Sequence, residues 1–393
     1  MNPLNITLVR QRYTPHGGAE RFVSRTMGAL RAQGVGVTLI TRKWQAQEGI
    51  LVLPCDPFYL GRLWRDWGFA RRVCKTLQSV TGNLVQSHER IACCDIYRAG
   101  DGVHREWLKQ WARVVSVPRR LQLLLSPYHR YVLSAERRLF LSPRLRMVIC
   151  NSMMVKREIQ ENFGLPDHKI EVIYSGVDTQ TFHPNLKALH RNTLRERYAI
   201  PEAATVFLFV GSGFARKGLG ALLQAMSRLP LDSHLVVVGK DKNTKHYQLQ
   251  SKRLGIEQRV HFMGPQADVT PFYGAADALV LPTLYDPFPN VALEAMASGL
   301  PLITSFKSGA ADLIIDGRNG YVCDALDIDS LVSAMHSLLS RETAAAMGEA
   351  ARVAVAPLTL ENMGNRLIAL YQRLLSNDAS QPVLAETIPV SVD

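Results

Sequence analysis

Residues 205–218 read TVFLFVGSGFARKG: six apolar or β-branched positions, a glycine-rich turn, two adjacent cations and a closing glycine. A run of that length and composition is a buried strand, and the segment after it has helical periodicity, so the turn joins a strand to a helix. Its small residues bring backbone close to a ligand, while Arg216 and Lys217 await negative charge, which is a phosphate-binding design. The P-loop pattern is absent. A dinucleotide fingerprint is incomplete as well: Arg216 stands where the third glycine belongs, and Asp232 falls before the next strand instead of after it.

The same grammar extends in both directions. Downstream, residues 234–239, 260–263, 278–281, 300–304 and 320–322 read as strands separated by helical patterns. Upstream, 5–10, 37–41, 84–87, 95–98, 147–150 and 169–174 do the same, with a helical pattern over 19–33 between Gly17–Gly18 and Gly34. Residues 176–204 are rich in proline, glycine and polar groups and read as a linker with one short helix at about 190–198. The chain is therefore α/β, with two Rossmann-like doubly wound domains facing across a cleft, over 1–180 and 181–360. One amphipathic helix over 361–376 is placed to cross back to the first domain, and the tail 377–393 is expected to be disordered.

A second constellation occupies residues 286–299, DPFPNVALEAMASG. Pro289 suits a first helical position and Gly299 a stop, so residues 290–298 form a helix whose N-terminus lies at the carboxyl edge of the sheet. Free N–H groups and the positive dipole end there favour an anion such as a diphosphate. Asp286 and Glu294 flank that point, suited to accept hydrogen bonds from sugar or ribose hydroxyls. The bland alternative makes Asp286 a loop cap and Glu294 a solvated helix residue. Asp327-Ile328-Asp329 resembles a metal-binding tripeptide but precedes a helical run and reads as an N-cap. His88, His129, His183 and His261 show no ligand spacing and read as structural or surface residues.

The length of 393 residues suits two domains, and 47% hydrophobic against 20% charged residues excludes a largely disordered chain. The net charge of +12 points to a polyanionic partner. Residues 1–180 hold 27 Lys and Arg against 14 Asp and Glu, net +13, while residues 181–393 hold 19 against 20, net −1. The excess peaks in 105–146, where ten cations, among them Arg105, Lys109, Arg113, Arg119 and Arg120, interleave with Trp107, Trp111 and several leucines. That pattern suits an interfacial helix at an anionic membrane surface, although the apolar residues could equally pack on the first domain. No apolar run is long enough to span a bilayer, no signal-peptide pattern opens the chain, and the six cysteines show no CxxC pair. The cysteines read as reduced thiols of a cytosolic protein, and the chain reads as soluble or held at a membrane from outside.

Taken together, EAMASGLP (294–301), GSGFARKG (211–218), IYSGVDTQTFHP (173–184) and GGAERF (17–22), in that spacing and order, resemble the retaining glycosyltransferases of family 4, which have the two-domain GT-B fold. VVVGKDK (236–242) and YRAGDGVH (97–104) further resemble the lipopolysaccharide core glucosyltransferases that extend inner-core heptose. The resemblance implies transfer of a hexose, glucose from UDP-glucose, onto a lipid-linked phosphorylated saccharide at the cytoplasmic face of the inner membrane. It implies no cofactor, no essential metal and no nucleic-acid partner. Arg216 and Lys217 would hold the donor diphosphate, Glu294 the ribose and Asp286 the donor sugar. The N–H groups of Asn290 and Val291 would face phosphate or sugar, and Gly213 and Phe288 would line the donor site. Gly17 and Gly18 would approach the reacting centre, and the loop near Met263 and Gly264 would border the base. Either Asp101 or His104 would face the acceptor. Two departures from the family pattern bear on the donor sugar: Asp286 replaces a glutamate, and Pro289 stands where glycine is common and cannot donate an N–H. Other family 4 transfers, a nucleotide-sugar epimerase, or a non-catalytic polyanion-binding protein are the competing readings.

Overall fold

The computed structural model describes residues 5–11, 34–43, 51–78 and 84–376. Two parallel sheets organise them. The first has seven strands, β1 (Asn5–Val9), β2 (Gly36–Thr41), β3 (Leu51–Pro54), β4 (Leu84–Ser87), β5 (Ile96–Arg98), β6 (Met147–Cys150) and β7 (Ile170–Val172), in the order β3-β2-β1-β4-β5-β6-β7. The second has six, β8 (Thr205–Val210), β9 (Ser233–Val238), β10 (Val260–Gly264), β11 (Ala278–Leu281), β12 (Leu302–Ser305) and β13 (Gly320–Cys323), in the order β10-β9-β8-β11-β12-β13. Strands β6, β8 and β11 are buried along their whole length, which explains why they read as continuous apolar or β-branched runs instead of alternating ones. Apolar clusters cover both faces of each sheet.

Strand order reverses between β1 and β4 in one sheet and between β8 and β11 in the other. At such a switch the following connections leave to opposite faces and open a crevice at the carboxyl ends. The glycine-rich loop after β8 and the DPFPN loop after β11 therefore start side by side, although about 70 residues separate them in sequence.

The helix Leu360–Leu375 returns to the first sheet. Leu367, Leu370 and Tyr371 are fully buried against a cluster that includes Ile6, Leu8 and Leu39, and the Tyr371 hydroxyl donates to Gln86 Oε1 at 2.7 Å. The chain crosses between the halves twice, and the crossings run side by side, with Val177 N donating to Leu358 O at 2.8 Å.

Three local expectations change. Strand β3 carries too little pattern to be read: it is four residues long, exposed at both ends, and finishes on Pro54 at the sheet edge. The linker helix runs Leu186–Arg197, starting earlier than the 190–198 reading because Leu186 and Leu194 anchor it in the second core. Cys74 and Cys93 are joined by a disulfide, where six reduced thiols were expected; a pair 19 residues apart has no local signature. Cys55, Cys94, Cys150 and Cys323 are buried free thiols. Asp327 caps the helix Ile328–Ser337 by accepting from Ser330 N, as its N-cap reading required. Among the described residues no helix is long and apolar enough to cross a membrane. Gly17, Gly18, the 19–33 helical pattern and the tail 377–393 lie outside the described residues.

Candidate active site

Between the carboxyl ends of the two sheets lies a cavity of about 1000 Å³. Its second-domain wall is built by the two loops at the β8–β11 switch. They touch so closely at Gly218, φ +80°, that a Cβ there would fall 1.9 Å from the Pro282 carbonyl oxygen, which restricts the position to glycine. The Arg216 carbonyl accepts from Leu284 N (2.8 Å) and Thr283 Oγ1 (3.1 Å), fixing one loop on the other. With the backbones locked, the Arg216 guanidinium reaches Tyr285 O at 3.1 Å and Asp286 Oδ2 at 2.8 Å, and Lys217 Nζ reaches the same carboxylate oxygen at 3.1 Å.

Two cations on one carboxylate set the charge of this wall. Burial alone would raise the Asp286 carboxyl, yet Lys217 and Arg216 outweigh it and hold the pKa at about 2. Burial lowers the Lys217 ammonium despite Asp286, because the single carboxylate is shared with Arg216, whose charge repels it. The three groups leave one net positive charge facing the cavity. Beside them begins the helix Asn290–Ala297, with Pro289 as its N-cap instead of its first helical residue, a one-position shift from the sequence reading. Asn290 and Val291 line the cavity at its positive end. Glu294, 3% exposed, also lines the cavity and accepts from the Tyr273 hydroxyl at 3.0 Å, so it is held in place and not solvated as the bland alternative had it.

Phe288 lines the same wall, packed on Tyr174 at 5.5 Å between ring centroids. Gly213 shapes the loop, at φ +74° with its carbonyl accepting from Lys217 N, and does not face the cavity. Met263 packs on the second core and Gly264 accepts from Gly239 N, leaving Pro265, Gln266, Ala267 and Val269, just beyond β10, to border the cavity.

The first-domain wall separates the two acceptor-side candidates. Asp101 lines the cavity, its side chain about half exposed and 3.7 Å from Arg90. His104 does not: its ring lies behind the wall, 3.0 Å from His129 Nδ1, and burial with Arg90 nearby pushes its pKa down to about 3, so it is neutral. Trp107, expected to face a membrane, instead packs on the first core and lines the cavity, because the helix His104–Ala112 turns that side inward. Trp111 is half-buried and stacked on it. The cations Arg105, Lys109, Arg113, Arg119 and Arg120 are exposed.

Arg98, Asn151, Ser175, Lys240 and Tyr285 also line the cavity and were not singled out as site residues from sequence. All of them follow or end a strand at the carboxyl edge of a sheet, a positional signal that the strand assignments already contained. Tyr285 does more than line the cavity. Its hydroxyl accepts from Val103 N (2.8 Å) and donates to Glu158 Oε2 (2.7 Å), and Lys307 Nζ holds the other Glu158 oxygen at 2.8 Å, tying the domains together beside Asp286.

Two family models match the chain in tandem: Glycosyltransferase Family 4 over residues 16–181 and Glycosyl transferases group 1 over residues 190–354. The chain belongs to the GT-B glycosyltransferases. The chain is 31% identical over 198 residues to an uncharacterized glycosyltransferase, MJ1607, of Methanocaldococcus jannaschii, and spans about half the length of that relative, 50%, with 49% of its own. It is 26% identical to the lipopolysaccharide glucosyltransferase WaaG of Escherichia coli over 79% of this chain and 83% of WaaG. A crystal structure of WaaG superposes with a TM-score of 0.79 at 23% identity, covering 93% of this chain and 99% of that one. Anabaena HepE, solved with UDP-glucose, superposes at 0.71 with 20% identity over 95% and 100%. The two-sheet GT-B fold is shared with these structures, and the cavity lies in the cleft between the sheets.

Proposed function

We propose that the protein is a retaining hexosyltransferase that moves glucose from UDP-glucose onto a lipid-linked, phosphorylated saccharide, the inner-core heptose of lipopolysaccharide. The observation that carries this reading is the convergence, on one wall of the cleft, of Arg216, Lys217, the Asn290 helix end and the held carboxylate of Glu294. Arg216, Lys217 and the helix end neutralise the leaving diphosphate, Glu294 accepts from the ribose, and Asp286 accepts from the donor sugar. The acceptor hydroxyl oxygen bonds to the anomeric carbon as its bond to the β-phosphate oxygen breaks on the same face. The hydroxyl proton passes to the departing diphosphate, and UDP leaves. No metal is needed where two cations and a helix end already neutralise the leaving group.

The acceptor reading extends to the surface. The helix Val117–Leu125 has no buried residue and exposes Val117, Leu121, Leu124 and Leu125 beside Arg119 and Arg120. Across the helix Pro127–Phe140, the helix Gly61–Thr76 and the turn before it expose Phe58, Leu60, Trp64 and Trp67 beside Arg62, Arg71 and Arg72. Apolar anchors flanked by cations suit an anionic leaflet, at about 1 kcal/mol per cation near the surface. The protein then sits peripherally on the cytoplasmic face of the inner membrane. The Cys74–Cys93 bridge is uncommon in a reducing compartment.

A thermal-shift panel of nucleotides and nucleotide sugars tests the donor reading, because a ligand at 100 times its Kd stabilises the native state by about 2.7 kcal/mol. UDP and UDP-glucose are expected to raise the melting temperature. Stabilisation by no nucleotide at all would remove the transferase reading and favour polyanion binding.

A further inference from the structure

The Asn290–Ala297 helix brings Asn290, Val291 and Glu294 to the cavity, and the donor reading leaves open what fixes its far end. A helix leaves its last four carbonyls without intrahelical donors. Three of them are met from the chain that follows: Glu294 O accepts from Ser298 N, Met296 O from Gly299 N and Ala295 O from Leu300 N, with Gly299 at φ +79° making the turn. Among the described residues no backbone N–H reaches Ala297 O. It accepts instead from the half-buried Arg352 guanidinium at 2.5 Å.

Arg352 belongs to the helix Arg341–Val355, which is seated on that end. One turn before it, a Cβ at Gly348 would fall 2.0 Å from the Gly299 carbonyl oxygen, so glycine is what lets the two helices approach this closely. The same Arg352 nitrogen, Nη1, donates to Phe182 O at 3.0 Å. Phe182 lies on the stretch by which the chain first crosses between the halves, and its ring packs edge-on against Tyr273, whose hydroxyl holds Glu294. One cation thus ties the end of the helix to the domain crossing, and a cation at a helix C-terminus also complements its dipole. The helix has only eight residues, roughly 12 Å at 1.5 Å per residue, so a shift at Ala297 reaches Asn290 as a rigid-body motion. We propose that Arg352, which lies outside the cavity, is a positioning residue for the donor: by holding Ala297 O and Phe182 O together it sets where Asn290, Val291 and Glu294 stand in the cleft. This rests on the donor reading above and adds to it a residue that touches no ligand.

The test measures UDP affinity by titration calorimetry on the full chain, at a temperature where circular dichroism shows every variant folded. Arg352→Met keeps most of the stem and removes the donors, whereas Arg352→Lys keeps a cation there. Arg259→Met is the control for lost stability alone: Arg259, 8% exposed, holds Pro230 O (2.8 Å), Ser233 O (3.1 Å) and Met226 O (3.3 Å) at the amino ends of β9 and β10. Arg352→Met is expected to raise the UDP Kd about tenfold and Arg352→Lys less; Arg259→Met should lower the melting temperature as well but leave the Kd alone. An unchanged Kd in Arg352→Met would overturn the proposal, and so would an equal rise in Arg259→Met. Should Arg352→Met not fold, Arg352→Gln, which keeps an amide donor at shorter reach, decides by the same two results. Should the wild type bind no UDP, the donor reading fails first. Hydrogen exchange over Asn290–Ala297 then decides this one: faster exchange in the Arg352 variant than in Arg259→Met supports it, and equal exchange refutes it.

Discussion

Asp286→Asn removes the one negative charge that two cations share in the second-domain wall, so its cost can be worked from the geometry. Asp286 is 7% exposed, with Arg216 at 2.8 Å and Lys217 at 3.1 Å. Those partners bring its pKa from 3.8 to about 2, which at 1.36 kcal/mol per unit is roughly 2–3 kcal/mol of stability. Breaking a buried pair by removing one partner costs about 3–5 kcal/mol, the same order. If the donor half unfolds as a unit, the melting temperature should drop by roughly 5–10 °C at pH 7. The folded pKa is depressed, so the stabilisation is present in full above the unfolded value near 3.8 and is lost as pH falls through about 2. The gap between wild type and variant should stay flat from pH 8 to 5 and shrink by roughly half at pH 3. On the proposed donor site, UDP would supply the missing anion to Arg216 and Lys217, so it should stabilise the variant at least as strongly as the wild type, while glucosyl transfer falls. Urea unfolding at pH 7, 5 and 3, with and without UDP, measures all of this. An undiminished gap at pH 3, or no gap at pH 7, would refute the assignment of the Asp286 charge to these two cations.

Three further outcomes follow from the same structure. Tyr285→Phe strips the Val103 N–H and one Glu158 oxygen of their shared hydroxyl across the domain seam; about 1–3 kcal/mol should be lost in urea unfolding, and none if the seam opens freely in solution. Gly102→Ala places a Cβ 2.2 Å from the Tyr285 hydroxyl at φ +66°, so it should destabilise by at least the roughly 1–2 kcal/mol that a left-handed alanine costs, and lower kcat/KM by shifting Asp101. Reversing Arg62, Arg71, Arg119 and Arg120 to Glu should abolish sedimentation with anionic vesicles and leave the UDP thermal shift intact; unchanged vesicle binding would remove the membrane reading.

Most of the sheet architecture was legible in the chain because buried parallel strands are written locally. Thr205–Val210, Ala278–Leu281 and Met147–Cys150 are short, apolar and bounded by turn residues, and each forms the strand its pattern predicts. The glycine-rich turn after Val210 and the helix start at Asn290 were legible for the same reason, since turn glycines and a proline before a helix are local signals. Strand β3 was not, since an edge strand half-covered by neighbours needs little apolar pattern.

What the chain could not specify one residue at a time was pairing at a distance. Its sequence by itself determined two doubly wound sheets, a basic first half and a glycine-rich loop with two adjacent cations. Only the tertiary structure decided that Asp286 neutralises Arg216 and Lys217 from the loop after β11, that Trp107 turns into the cleft while Arg105 turns out, that His104 withdraws behind Asp101, and that Cys74 meets Cys93. The physical reason is that periodicity tells which side of an element is apolar, whereas the crossovers of a parallel sheet decide which carboxyl-edge loops end up touching.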